Sequence, residues 1–204
     1  MTHLPRFLGA ALLALAVTVA HAQASPPAPT QRLRGTVESF DNTTLVMKER
    51  SGELLRLALA DSFGVNEVVP TELADIAAGS YIGTAAMPQA DGTLQALEVL
   101  VFPEQARGSN EGHYPWDLQP GSTMTNATVA DVVGRAKGRT LRLRYKDGEK
   151  TVRVPEGVPV VTVKPGDRAL LVPGAKVLVT AQLRDGKPVA LRAIAGRNGF
   201  APPM

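Results

Sequence analysis

Cysteine is absent from the 204 residues, and aromatic side chains are scarce: one Trp, three Tyr and five Phe. Without thiols there is no disulfide scaffold, no zinc–cysteine or iron–sulfur centre and no thiol nucleophile. Histidine is as rare, occurring only as His3, His21 and His113. Neither charge sign dominates, since 22 Lys+Arg meet 19 Asp+Glu for a net +3. With 44% hydrophobic residues the chain is too apolar for a wholly disordered one. A long hydrophobic run occurs once, over residues 7–20. At about 14 residues it falls short of the roughly 20 that span a bilayer.

That run follows Arg6 and precedes Ala20-His21-Ala22-Gln23-Ala24. A basic start, an apolar middle and a small-x-small end make residues 1–24 a secretory signal peptide, with cleavage after Ala22 or Ala24. The expected mature protein is periplasmic or secreted, does not span the membrane, and retains His113 alone among its histidines. One copy then has no three-histidine metal site.

What is abundant is turn chemistry, 19 Gly and 16 Pro, between short alternating runs. After a spacer at 25–30 the chain repeats itself. Thr44-Leu45-Val46-Met47-Lys48 matches Thr140-Leu141-Arg142-Leu143-Arg144, and Tyr81-Ile82-Gly83-Thr84-Ala85-Ala86 matches Lys176-Val177-Leu178-Val179-Thr180-Ala181. Asp91-Gly92 matches Asp185-Gly186, and Ala96-Leu97-Glu98-Val99 matches Ala190-Leu191-Arg192-Ala193. In the first copy strands are expected near 33–40, 43–49, 54–59, 81–87 and 94–101, with a helical turn at 71–77. Asp41-Asn42 and Ser51-Gly52 supply hairpin turns. Five strands with a helical turn before the fourth predict an all-β chain of two tandem, small OB-like β-barrels. An SH3-like barrel or a small sandwich competes. The expected organisation is repeat 1 at 31–101, a long ordered linker at 102–126, repeat 2 at 127–196 and a tail at 197–204.

Gly35-Thr36-Val37-Glu38, the stretch from Leu73 to Gly83 and the stretch from Gly92 to Val99 resemble a family of exported bacterial proteins with OB-like domains of unknown function. The central Glu111-Gly112-His113-Tyr114-Pro115-Trp116-Asp117 is similar to one exported subgroup. The resemblance covers nearly all of the mature chain and implies OB-like domains and export. Members are often labelled metal-transporter permeases; this sequence has no helices to form a permease and does not support the label.

Residues 102–126 show no strand periodicity, yet hold the only Trp and the only mature His. Loops beyond about 12–15 residues in compact proteins are usually functional or disordered. Glu111, His113, Trp116 and Asp117 form the candidate linker site. Glu111, His113 and Asp117 carry oxygen and imidazole donors of the type that bind a divalent cation, although their spacing matches no ligand signature. In the plainer reading Trp116 and Tyr114 plug the crevice between the barrels and His113 bonds a backbone carbonyl.

No enzyme is expected. Gly79-Ser80-Tyr81-Ile82-Gly83 is not a nucleophile elbow and sits on a strand. Walker and dinucleotide loops are missing. The carboxylates of Asp41, Asp91, Asp147 and Asp185 fall on turns, where Asp is favoured for its own hydrogen bonding. No cofactor is implied.

Charge is uneven along the chain. Residues 31–101 hold 5 Lys+Arg and 10 Asp+Glu, whereas residues 127–204 hold 15 and 6. Strand alternation puts Arg142, Arg144 and Lys146 on one face, with Arg153 beside them on the next strand. Such a face attracts polyanions. Single-strand nucleic-acid binders add aromatic platforms; the basic repeat offers only Tyr145 and Phe200, so the expected partner is an anionic envelope component or the acidic first unit of this same chain. The expected function is an exported, non-enzymatic binding or envelope-associated protein. The alternative is a periplasmic metal-handling accessory protein using the linker around His113.

Overall fold

The computed structural model describes residues 29–134 and 139–203. The expected leader at 1–24 lies outside the described residues. The fold is all-β. Its twelve strands are β1 (Thr30–Phe40), β2 (Thr44–Glu49), β3 (Leu54–Pro70), β4 (Tyr81–Pro88), β5 (Leu94–Val101), β6 (Gly112–Pro115), β7 (Thr123–Val133), β8 (Arg139–Tyr145), β9 (Gly148–Val154), β10 (Val160–Pro165), β11 (Lys176–Arg184) and β12 (Lys187–Ala195). The helical turn expected at 71–77 shrinks to one 3-10 turn, Leu73–Asp75, matched by Arg168–Leu170 in the second copy. Two other expectations change. The third strand runs on past Leu59 to Pro70, and the linker contains a strand, β6, paired with β7. Four residues carrying Gly and Pro show no periodicity, which is why β6 was invisible to strand alternation.

Strand pairing corrects the tandem arrangement. β1, β2 and β3 close a five-membered ring with β11 and β12, through β1–β11, β11–β12 and a parallel β12–β3 seam. β7, β8 and β9 close a second ring with β4 and β5, through β4–β7, β4–β5 and a parallel β5–β9 seam. Residues 31–101 and 127–196 therefore do not each close on themselves: each copy gives its last hairpin to the other. The register shifts agree in both copies, after Val37 and Val129 on the first strands and after Ala85 and Thr180 on the exchanged ones. The two hairpins thus present the same bulged edge, and alternation alone does not choose between their hosts.

The exchange is centred on the pairing of β3 with β10. The distal half of β3 pairs antiparallel with β10, with Val68 opposite Val163 at the centre, Glu67 opposite Lys164 and Thr162 opposite Val69. From there β3 runs parallel to β12, and β10 runs parallel to β5. Pro155 and Pro159 separate β9 from β10, because Pro breaks a ladder. The matching stretch of β3 continues unbroken.

Each ring encloses its own core. In the first, Val37, Leu45, Met47 and Leu57 pack on Val177, Val179, Ala190 and Ala193. In the second, Val129, Leu141, Leu143 and Val152 pack on Ile82, Ala96 and Val99. Both cores join side chains from the two halves of the sequence. A third cluster, Val68, Leu100, Val161 and Leu178, with Phe102 and Phe200 against it, fills the junction. Fully burying such a side chain contributes about 1.5–3 kcal/mol, so the hairpins are held by apolar packing as well as by ladders.

Candidate functional site

On β1 the alternation is Leu33, Gly35 and Val37 inward, Arg32, Arg34 and Thr36 outward. Gly35 is required where it stands, because a Cβ there would meet the carbonyl oxygen of Lys48 and the end of Met47. Thr36 lies directly opposite Lys48 on β2 and Lys176 on β11. Residues directly opposite share a face, so one row reads Lys48, Thr36, Lys176. The next row adds Arg50, whose backbone N–H donates to the Arg34 carbonyl at 3.0 Å. Lys176 Nζ donates to Thr36 Oγ1 at 2.7 Å.

These rows form the floor of an open cleft of about 370 Å³, walled by Arg34, Lys48, Arg50, Lys176 and the tail residues Ala201 and Pro202. Among the described residues one acid, Glu49, lines it. Its carboxylate accepts the Ser51 N–H at 2.6 Å, and that hydrogen bond holds its pKa below the usual carboxylate value. Glu49 is thus ionised and occupied within its own turn. Among the described residues no carboxylate lies within ion-pair distance of Lys48, Arg50 or Lys176. The cleft thus holds three cations with no ion-pair partner among the described residues, Lys48, Arg50 and Lys176, against one committed anion.

Beside the cleft the linker straps onto barrel one. Arg34, buried to 7% exposure, donates through Nη2 to Asp117 Oδ1 at 2.8 Å, while Arg32 Nε reaches both Asp117 oxygens at 3.1 Å. Partial burial of Asp117 works against its ionisation, but the two guanidinium groups outweigh it and lower its pKa. The Arg32 guanidinium also lies 3.9 Å from the centroid of Trp116, a cation–π contact. Because β6 pairs with β7 and Trp116–Asp117 grip β1, the linker touches both rings. Arg34 also feels Glu98, a fully buried carboxyl on β5.

The candidate linker residues do not converge. Glu111 Oε1 accepts the backbone N–H of Lys146 at 2.9 Å. His113 Nδ1 lies 2.8 Å from Thr125 Oγ1, and its ring stacks 6.5 Å from Tyr145; burial first, then Lys150, lowers its pKa. Its partner is a hydroxyl rather than the expected carbonyl. Asp117 is held by the arginines. Among the described residues no three metal-ligating groups come together, so the Glu111, His113 and Asp117 cation site has no geometric basis: the ends of β6 place these side chains on three different partners.

The basic face of repeat 2 is brought together, but with acids in it. Arg142, Arg144 and Arg153 are exposed on β8 and β9. Arg142 pairs with Asp131 at 3.6 Å, Arg153 with Asp91 at 2.6 Å, and Arg144 stands opposite Glu149. Lys146 lies at the hairpin turn. The hairpin exchange also redistributes charge. Barrel one with its tail, residues 30–70 and 166–203, holds 11 Lys+Arg and 8 Asp+Glu; residues 71–165 hold 10 and 11. The acidic half and the basic half of the sequence are not an acidic barrel and a basic barrel.

Sequence reasoning missed Arg32, Arg34, Lys48, Arg50 and Lys176. Their signal was present, since Arg32-Leu33-Arg34 has the alternation of Arg142-Leu143-Arg144. It was hidden by the net −5 of the surrounding segment and by Lys176 arriving from the other copy. No protein-family model, no curated protein and no solved structure matches this chain.

Proposed function

We propose that the protein is an exported, non-enzymatic binding protein, built on two OB-like barrels that exchange hairpins, and that it takes an anionic partner in the cleft of barrel one. The ring order β1-β2-β3-β12-β11, with its parallel seam and a 3-10 turn before β11, supports the OB-like reading over an SH3-like barrel. Export rests on the leader-like residues 1–24 and on the family resemblance. The observation that carries the anionic partner is the row Lys48–Thr36–Lys176 with Arg50 beside it and, among the described residues, no carboxylate within ion-pair distance of these cations. On β8 and β9, by contrast, Arg142 and Arg153 are already ion-paired.

The test is salt-dependent retention of the mature chain on immobilised heparin, used as a generic polyanion. Unaltered protein elutes at moderate salt, as charge-driven binding requires. Lys48→Glu with Lys176→Glu elutes at clearly lower salt, and Arg142→Glu with Arg144→Glu changes elution little. The reading fails if low salt gives no retention, or if only the Arg142 and Arg144 variant loses it.

A further inference from the structure

We infer that the anion bound in the barrel-one cleft is a phosphomonoester on a small, non-aromatic carrier; this rests on the anionic reading above and narrows it to a ligand class. Three features of the cleft select that chemistry. The first is charge number. Lys48, Arg50 and Lys176 have no carboxylate within ion-pair distance among the described residues, and a phosphomonoester carries about −1.5 to −2 near neutral pH. A carboxylate or a sulfate ester brings a single negative charge to the same three cations.

The second is the geometry of the donors. Strands lie roughly 4.8 Å apart, so Lys48 and Lys176 flank Thr36 symmetrically from the two sides of β1. Their ammonium groups are compact charges with three rotatable donors, suited to a tetrahedral oxyanion. Of the two forked guanidinium groups that would favour a planar carboxylate, Arg34 is held by Asp117 and Arg50 Nη1 donates to the Leu118 carbonyl at 3.5 Å. Thr36 Oγ1 already accepts from Lys176, which leaves its O–H to donate to a phosphate oxygen.

The third is the wall. Among the described residues no aromatic side chain lines the cleft, so a nucleobase has no platform to stack on. Ala201, Pro202 and Gly52 offer a low, small-residue rim. A volume of about 370 Å³ sits at the low end of small-ligand sites and suits a phosphate with one sugar or glycerol unit attached. Such a group arises either as a free phosphate ester or as the exposed headgroup of a lipid.

The experiment titrates the mature chain by calorimetry with glucose 6-phosphate, glucose 6-sulfate, gluconate and glucose. A second arm measures co-sedimentation with phosphatidylcholine vesicles containing phosphatidic acid, against phosphatidylcholine alone. The expected result is saturable binding of glucose 6-phosphate, at least tenfold tighter than the sulfate or gluconate, with none for glucose. Lys48→Gln and Lys176→Gln each weaken it at least tenfold, and Thr36→Val weakens it severalfold; unchanged Trp116 fluorescence and circular dichroism certify that the variants fold. Sedimentation with phosphatidic acid and no binding of the soluble ester assigns the source to a lipid headgroup, and the reverse assigns it to a free ester. Heparin retention that depends on Lys48 and Lys176, with no binding of either phosphate probe, overturns the phosphomonoester and leaves the anionic cleft standing. Phosphate binding indifferent to Lys48→Gln and Lys176→Gln overturns the site itself.

Discussion

Glu98 is the residue whose chemistry departs furthest from its solvent behaviour. Its side chain is fully buried on β5, Oε1 accepts a long 3.4 Å hydrogen bond from the Ala85 N–H, and Oε2 has no partner among the described residues. Burial pushes its pKa from 4.5 to about 8, against the smaller pull of the Ala85 N–H and Arg34. The folded protein therefore keeps the proton at neutral pH while the unfolded chain has lost it. Glu98's contribution to stability is complete below about pH 4.5 and is lost as pH rises through about 8. Each unit separating the two values is worth about 1.4 kcal/mol, so a loss of several kcal/mol is expected across that window. Urea unfolding midpoints between pH 4.5 and 8.5 measure it. Glu98→Gln, neutral and of the same shape, flattens the dependence; a variant with the same slope as the parent would show that another group is titrating.

At the scale of elements, the strap from β6 to Asp117 ties barrel two to the outer face of β1. Asp117 is 43% exposed whereas Arg34 is 8% exposed in its side chain, so the cost of breaking the pair falls on the arginine. Asp117→Asn removes the charge from a buried guanidinium's hydrogen bond, and the expected loss is about 1–3 kcal/mol. Trp116, stacked under Arg32, reports it through a red-shifted emission. A shift in emission with no change in the urea midpoint would mean that the strap rearranges without holding the fold. This element was only half legible in the sequence. The 25-residue span from 102 to 126 announced itself through its lone Trp and His, but its anchor, Arg32 and Arg34, lies more than 80 residues away. The strands were more legible: β5 is found at the expected Leu94–Val101, and β1, β2 and β4 within three residues of expectation at either end. A two-residue period reads out the buried face of a strand wherever the partner comes from, so it located the hairpins without saying which ring they enter.

That choice of partner governs the whole molecule. Barrel one has no closed wall without β11 and β12, and barrel two none without β4 and β5. Each core would expose Val37, Leu45 and Leu57, or Val129, Leu141 and Val152, if its borrowed hairpin were withdrawn. Chain entropy opposes association of separate pieces, but two apolar cores and the β3–β10 seam favour it. Cleavage at a protease site engineered into the Gly108–Ser109–Asn110 turn, before β6, leaves one piece with β1–β5 and one with β6–β12. The pieces are expected to remain together through gel filtration in native buffer, to separate only in denaturant, and to unfold in a single transition that depends on concentration. Two barrels each closed from its own repeat would part on dilution into two folded monomers with separate transitions, and that outcome would overturn the exchanged pairing. The same cut tests the cleft's construction. Lys48 and Thr36 then lie on one piece and Lys176 on the other, so heparin retention should survive nicking and be lost when either piece is applied alone.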